Sequence, residues 1–321
     1  MQKNQNKNNY LVIPNKKEYK ALSLDYKNII LSIEIPNLHI DPLIVYKLLG
    51  AENCFYMQKT LPGKDSPFET TMGLKSANIE KINGINPIEK LRKILKENKL
   101  TTFCNNNYDH NGLFSYFSYE CFQYFDKIPK LKKDPNGCPE CLIIEPELIS
   151  SYDHTNNKLV ISKKISSNDN YDPHRKELIK MANYISGQSE ELNTTTLKNI
   201  PGSKTFEITD KNNYLKKIKK IKKEIISGEF IQCVLTQRFT RTSKIEDQTL
   251  LEYLSKRYPS EYIYQISIND FSITGSSPEM FLKVKNNKAT IRPVAGTIAS
   301  IKGKTKDLVK KLKSSIKDKA E

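Results

Sequence analysis

Five short apolar segments, separated by turn-forming residues, follow one another in the second half of the chain. Asn269-Asp270 and Asn286-Asn287 are typical of the tight turns that join the two strands of a hairpin. We therefore predict an antiparallel meander, with strands around residues 230–241, 262–268, 271–274, 280–284 and 289–294.

Helices are predicted on both sides of this meander. The first begins at Thr209 or Asp210, either of which can cap its N terminus, and it stops before Gly228. The second carries the apolar residues Leu308, Leu312 and Ile316. Helices that flank antiparallel strands indicate an α+β fold.

The first half of the chain carries the same mixture of elements. Asp41-Pro42 and Asn86-Pro87 each predict a helix start, because the polar residue can cap the helix and proline is favoured at the first helical position. Residues 142–144 and 158–161 are typical of strands, with a turn at 153–157 between them.

The chain divides by composition into four parts. Residues 1–20 are rich in lysine, asparagine and glutamine and predict a flexible arm. Residues 21–165 are predicted to form an N-terminal domain. Residues 166–207 lose strand periodicity and predict a linker, although 175–185 could form a helix. Residues 208–321 are predicted to form a second domain.

Hydrophobic residues make up 37% of the chain, which is enough for one large core or two modest ones. No apolar stretch is long enough to cross a bilayer, and residues 1–9 lack the apolar segment of a secretion signal. We therefore expect a soluble, cytoplasmic protein.

The net charge of +16 raises the possibility of nucleic-acid binding. The excess lysines are spread along the chain, however, and no nucleic-acid-binding motif accompanies them. Neither nucleic acid nor a membrane is therefore an expected partner. A positive field would still favour an anionic substrate.

The six cysteines and four histidines predict no metal site. Cys138 and Cys141 have the spacing of half a zinc site, but no second pair of ligands follows. Cys233 lies in a predicted strand and is expected in the core. Without a signal peptide, free thiols are expected.

Three motifs follow the helix that ends before Gly228. The first motif is GEFIQCVLTQRF at 228–239, the second is GSSPEM at 275–280, and the third is RPVAGT at 292–297. Together, in this order, they resemble component I of anthranilate synthase, a chorismate-utilising enzyme. The resemblance extends more loosely from about residue 41 and implies a chorismate-utilising enzyme fold with mostly antiparallel sheets flanked by helices. In that family the chain runs well past the position of Glu321, so the fold is expected to be incomplete at its C terminus.

The resemblance implies a lyase reaction of tryptophan biosynthesis. Ammonia attacks C2 of chorismate, the C4 hydroxyl leaves, and pyruvate is eliminated to give anthranilate. Glu279 in the second motif matches the family's general acid for the leaving hydroxyl. Because a proton donor must be protonated, we expect Glu279 to be partly buried with a raised pKa. The alternative for Glu279 is a structural role near the start of a strand.

Gln232 and Ala295 match substrate-binding positions that separate the members of the wider family. Isochorismate-forming relatives carry at the position of Gln232 a lysine that activates water, and many aminodeoxychorismate synthases carry at the position of Ala295 a lysine nucleophile. Neither glutamine nor alanine can perform these roles. Gln232 could instead be a polar residue on the exposed face of a strand.

The rest of the third motif is expected to contact the substrate. Gly296 permits close approach of its backbone N–H, and Thr297 offers a hydroxyl. Arg292 pairs either with a substrate carboxylate or with a structural partner.

Magnesium is the implied cofactor. Glu321 matches a family glutamate that helps to hold Mg²⁺, and Asp318 falls where a second acidic residue is usual. Their spacing of three residues puts both carboxylates on one face of a helix. Mg²⁺ typically keeps few protein carboxylates and adds substrate oxygens. Because the family's other metal-binding residues lie beyond this segment, residues 1–321 alone are expected to be inactive.

The resemblance also implies a partner, a glutamine amidotransferase subunit (component II) that supplies the ammonia. Two alternatives remain open. One is aminodeoxychorismate synthase component I, an enzyme of the folate pathway. The other is a non-catalytic remnant, or a subunit that only binds the amidotransferase.

Overall fold

A computed structural model describes residues 10–50, 54–61, 63–64, 66–104, 112–128, 137–188, 206–207, 210–240, 242–268, 271–299, 305–316 and 319. Within these ranges the helices are α1 Lys16–Leu22, α2 Pro42–Leu48, α3 Pro87–Thr101, α4 Tyr171–Gln188, α5 Lys211–Ile226, α6 Asp247–Arg257 and α7 Thr305–Ser314. A short 3₁₀ helix spans Tyr119–Tyr124.

Strands alternate with these helices along the chain. The strands are β1 Val12–Ile13, β2 Asn28–Ile35, β3 Cys54–Thr60, β4 Pro67–Ile82, β5 Thr102–Phe103, β6 Phe114–Phe117, β7 Cys141–Asp153, β8 Lys158–Ser166, β9 Phe206–Glu207, β10 Phe239–Thr240, β11 Tyr262–Ile268, β12 Phe271–Ser277, β13 Lys283–Lys285 and β14 Lys288–Thr290.

Ten of the described strands form one large sheet. Its main order is β1-β2-β8-β7-β4-β3-β11-β12, with β5 beside β2 and β6 beside β7. All of its pairings are antiparallel except that of β5 with β2. Two small sheets, β9 with β10 and β13 with β14, complete the described strands. The large antiparallel sheet with its helices confirms the α+β prediction.

The chain separates into two compact units. Unit 1 comprises residues 1–195 and 251–321, and unit 2 comprises residues 196–250. The division into domains at 166–207 stays a prediction. Within that range the structure contains α4, whose Leu178, Ala182 and Ile185 are buried in the core of unit 1.

The core of unit 1 forms where α2 and α4 cover apolar residues of the sheet. Strands β2 and β8 contribute Ile29, Leu31, Ile33, Leu159 and Ile161, none of which is exposed to solvent. In contrast, none of the described residues in 210–250 or 271–316 is buried. The three motifs therefore contain no buried residue, although β11, which lies between the first and second motifs, contributes Ile263, Ile266 and Ile268 to the buried apolar residues.

The predicted helix starts in both halves of the chain are confirmed. The side chains of Asp41 and Asn86 accept hydrogen bonds from the backbone N–H groups of Leu43 and Ile88, at 2.9 and 3.0 Å. Asp210 caps α5, and Gly228 follows that helix with a φ of +84°, which glycine adopts readily. The predicted last helix is α7, which ends before Ile316.

The meander prediction is confirmed in part. Strands β11 and β12 occupy the predicted places, and Asn286 and Asn287 have positive φ values of 51° and 58°, as the β13–β14 turn requires. The turn predicted at Asn269-Asp270 lies outside the described residues. Over the described residues 230–240 the predicted strand is wrong except for β10. In place of the strands predicted at 280–284 and 289–294, the structure has the shorter β13 and β14, each shifted by a residue beyond the predicted range.

No helix in the described part of the chain is both long enough and apolar enough to span a membrane.

Candidate active site

The first three residues of the second motif are the last three of β12, the strand at one end of the large sheet's main order. The rest of the motif follows the end of β12. Strand β12 pairs with β11 so that Ser277 lies opposite Tyr262. The Oγ of Ser276 donates a hydrogen bond of 2.7 Å to the backbone carbonyl of Tyr258, just after α6. The β11 end of the sheet therefore fixes the place of the second motif.

A larger residue at Gly275 in this motif would require the Tyr264 side chain to move. A Cβ atom at Gly275 would lie 2.4 Å from the ring of Tyr264, which is opposite it on β11. Real Cβ contacts of this length essentially never occur. The ring of Tyr264 thus covers the backbone of Gly275, a contact that holds the two strands in register.

Glu279 lies two residues beyond the end of β12. The chain leaves the sheet after Ser277, and residues 278–282 join no strand. The Ser277 side chain makes two long hydrogen bonds with the Glu279 backbone, at 3.3 and 3.4 Å. The expected partial burial of Glu279 is wrong, because its side chain is exposed where the chain departs from the sheet.

The third motif returns to the same end of the sheet. The hairpin of β13 and β14 reverses the chain, and Arg292 then forms an ion pair with Glu261, the residue just before β11. Further along the motif, Ala295 and Gly296 are half-buried and Thr297 is exposed. The beginning of β11 therefore contacts both the second and the third motif.

The first motif belongs to unit 2. Gln232 follows α5 in a segment without regular structure, and its side chain is exposed. The Tyr214 hydroxyl of α5 donates a 3.4 Å hydrogen bond to the Leu235 carbonyl, which ties the helix to the motif. The prediction that Cys233 is a core residue is wrong, because it is exposed.

The predicted magnesium ligands Asp318 and Glu321 lie outside the described residues. In the described ranges, no three His, Cys, Asp or Glu side chains are arranged to hold a metal ion. Magnesium at Asp318 and Glu321 therefore stays a prediction.

Of Cys138 and Cys141, which have the spacing of half a zinc site, Cys141 is buried, as is Cys121. Burial raises the pKa of the Cys141 thiol to about 12, and the nearby Cys121 contributes to that shift. Burial also raises the pKa of Cys121, whose thiol donates a 2.9 Å hydrogen bond to the Glu140 carbonyl. The thiols of Cys121 and Cys141 are thus protonated at neutral pH, which disfavours metal binding and redox reactivity at these two positions.

A cleft of about 350 Å³ lies elsewhere in unit 1, between α3 and strands of the sheet. Its lining includes Glu80, Glu97 and Glu145, and it contains none of the predicted site residues. Glu80 pairs with Lys90 and Glu145 with Lys164, so two of these three carboxylates already have a cationic partner within the protein.

Sequence reasoning missed the residues that hold the motifs in place, Tyr258, Glu261 and Tyr264. They belong to no motif, and their role depends on contacts between segments that are distant in sequence. The adjacent strand prediction at 262–268 was the one signal that pointed to this region.

The comparisons with known proteins agree with the fold and the motifs. The family model for chorismate binding enzymes matches residues 52–321. This chain belongs to the family of chorismate-binding enzymes.

Within that family, the chain is similar to proteins named anthranilate synthase component 1. The protein from Acetivibrio thermocellus is 25% identical over 341 residues, which cover 96% of this chain and 68% of the relative. The probable anthranilate synthase component 1 of Schizosaccharomyces pombe is 24% identical, over 89% of this chain and 61% of the relative. The chain thus spans about two thirds of the length of these relatives.

Solved structures confirm the fold. Component I of anthranilate synthase from Streptococcus pneumoniae matches with a TM-score of 0.62 at 18% identity, over 89% of this chain and 65% of the other. The menaquinone-specific isochorismate synthase of Escherichia coli matches with a TM-score of 0.54 at 12% identity, over 95% of this chain and 64% of the other. At these identities the likeness establishes the chorismate-utilising fold and not the reaction.

Proposed function

We propose that this chain acts as component I of a cytoplasmic anthranilate synthase, in tryptophan biosynthesis. The observation that carries the proposal is the meeting of the second and third motifs at the β11 end of the sheet. The names of the relatives support the same reaction. The overall chemistry converts chorismate and ammonia to anthranilate, pyruvate and water.

The residues take separate roles in this reaction. Glu279 gives a proton to the C4 hydroxyl of chorismate, which then leaves as water after ammonia adds at C2. Loss of the C2 proton and of pyruvate completes the aromatic ring. Gly296 and Thr297 bind the substrate through a backbone N–H and a hydroxyl. Glu279 is exposed in this structure, so bound substrate would have to shield this side chain from water.

Two side chains favour ammonia as the nucleophile. Gln232 cannot remove a proton from water, and Ala295 offers no amine. This combination separates the proposed reaction from the formation of isochorismate and from the covalent route of many aminodeoxychorismate synthases. Ammonia would come from glutamine through an amidotransferase partner, the component II of the proposed enzyme.

Magnesium is proposed at Glu321 and Asp318. The bound ion would neutralise carboxylate charge on the substrate, and oxygen ligands from two acidic side chains suit it.

The test is a product assay on the natural gene product with chorismate, ammonium and Mg²⁺. Liquid chromatography separates anthranilate, aminodeoxychorismate and isochorismate. Anthranilate as the main product supports the proposal, and either of the other compounds as the main product contradicts it. A protein that consumes no chorismate would be the non-catalytic remnant.

Glu279→Gln tests the general acid in the same assay. Loss of a positioned proton donor is expected to lower the rate on the order of 10²- to 10⁴-fold. Since Glu279 is exposed, the thermal unfolding midpoint should change little. Full ammonia-dependent activity in this variant would remove Glu279 from the mechanism.

A further inference from the structure

One ion pair joins the third motif to the large sheet. The Arg292 guanidinium contacts the carboxylate of Glu261, and their side chains are 36% and 22% exposed. Glu261 precedes β11 and belongs to none of the three motifs. Because both groups are partly shielded from water, their attraction is screened less than that of a fully exposed pair.

Glu261 is itself held by the sheet. Its backbone carbonyl accepts a 2.8 Å hydrogen bond from the Thr60 N–H at the end of β3. Three residues earlier, the Tyr258 carbonyl accepts the hydrogen bond from Ser276 of the second motif. The four-residue segment 258–261 therefore contacts both motifs and is fixed to an inner strand pair of the sheet.

We propose that Glu261 is a positioning residue that holds the substrate-binding third motif beside the end of β12, through Arg292. Arg292 is thereby bound by the protein, and it does not serve as the receptor for a substrate carboxylate. This inference rests on the proposed function, in which Gly296 and Thr297 bind chorismate.

The ion pair can affect substrate binding because it restricts the conformational freedom of the third motif at its first residue. Residues 291–299 join no helix or strand, so the ion pair at Arg292 is a side-chain anchor on an otherwise irregular segment. A binding segment that is already ordered loses less conformational entropy when the substrate binds. Removing the anchor should therefore weaken chorismate binding without unfolding the sheet.

The experiment uses three variants. Two are the single substitutions Glu261→Gln and Glu261→Asp. The third combines Glu261→Arg and Arg292→Glu in one protein and so restores the pair with reversed charges. The matched control is Glu34→Gln, which breaks the Lys158–Glu34 pair at another place in the sheet, where the side chains are similarly exposed. Thermal unfolding checks that each variant is folded. Two readouts follow, the first on residues 1–321 and the second on the natural gene product.

The first readout is the backbone order parameter from ¹⁵N relaxation for Val294 to Thr297, without ligand. In Glu261→Gln we expect these values to fall toward the flexible range, below about 0.6, and the control to stay unchanged. The reversed pair should restore them, and Glu261→Asp should restore them in part. Unchanged order parameters in Glu261→Gln would overturn the positioning role.

The second readout is the dissociation constant for chorismate from titration calorimetry. We expect about fivefold weaker binding in Glu261→Gln and recovery in the reversed pair. Failure of the reversed pair to recover binding, while its order parameters recover, would show that Arg292 contacts the substrate and would overturn that part of the inference. If the unaltered natural gene product binds no chorismate, the proposed function fails, whereas the order parameters still decide whether Glu261 anchors the motif.

Discussion

At the scale of single residues, the site depends on a few contacts in which one particular side chain is required. Gly275 is required because Tyr264 occupies the space of a Cβ atom. Arg292 is matched to Glu261 by charge. The three motifs could be found in the sequence, but these two contacts could not, because each joins a motif residue to a residue outside the motifs.

Gly275→Ala is expected to destabilise unit 1 by about 1–3 kcal/mol, because the added methyl group must displace the Tyr264 ring. Urea unfolding followed by circular dichroism measures this change. The control is Gly187→Ala in α4, where a Cβ atom meets nothing within 4 Å. Equal stability of the two variants would show that the ring moves aside at no cost.

Cysteine reactivity should follow burial. Cys121 and Cys141 are buried and protonated, whereas Cys233 is exposed. At pH 7.5, we expect iodoacetamide to modify Cys233 in the native protein and to reach Cys121 and Cys141 only after denaturation. Peptide mass spectrometry identifies the modified positions, and rapid native labelling of Cys141 would contradict the assignment.

At the scale of elements, the sequence predicted those helix starts that depend only on contacts between residues close together in the chain. The caps at Asp41, Asn86 and Asp210 each satisfy backbone N–H groups within the same few residues, so the sequence alone predicts them. Side chains around Gln232 alternate in polarity as in a strand, but a strand forms only where its backbone can pair with a neighbouring strand. Only Phe239 and Thr240 pair, with β9, so the prediction failed beyond them.

Helix α4 is attached to the sheet by charge as well as by its apolar face. Lys163 of β8 contacts Glu177 of α4 at 2.5 Å and Glu147 of β7 at 3.0 Å. Burial opposes the charged form of Glu177, but the hydrogen bonds and positive charges of Lys163 and Lys75 together outweigh burial and lower its pKa. For Lys163, burial acts to lower the pKa, and the hydrogen bonds with Glu177 and Glu147 prevail and raise it.

These shifts give stability a defined pH dependence. The contribution of Glu177 is present above its ordinary pKa of 4.5 and is lost as pH falls through its lowered folded value. That of Lys163 is present below 10.5 and is lost as pH rises through its raised folded value. As pH is lowered from 7 to 3, the free energy of unfolding should therefore fall less steeply in Glu177→Gln than in the unaltered chain. Equal slopes would mean that the pair adds no stability.

At the scale of the whole molecule, the segments that carry the three motifs contain no buried residue, although buried β11 lies between two of them. The sheet and α4 bury most of the apolar residues, whereas 210–250 and 271–316 contain no buried residue among those described. Composition predicted enough apolar material for a core. It could not predict this uneven distribution, which depends on how distant segments pair.

The uneven core sets a gradient of local stability along the chain. The free energy needed to unfold a segment locally is small when the segment buries little apolar area. Proteases cleave such locally unfolded segments first. Brief trypsin treatment should therefore cut at Lys283, Lys285 and Lys288 while the peptide bonds of β7 and β8 stay intact. First cuts within β8 would contradict this gradient. The same openings would let the segments that carry the chemistry rearrange around a ligand while the ten-stranded sheet stays folded.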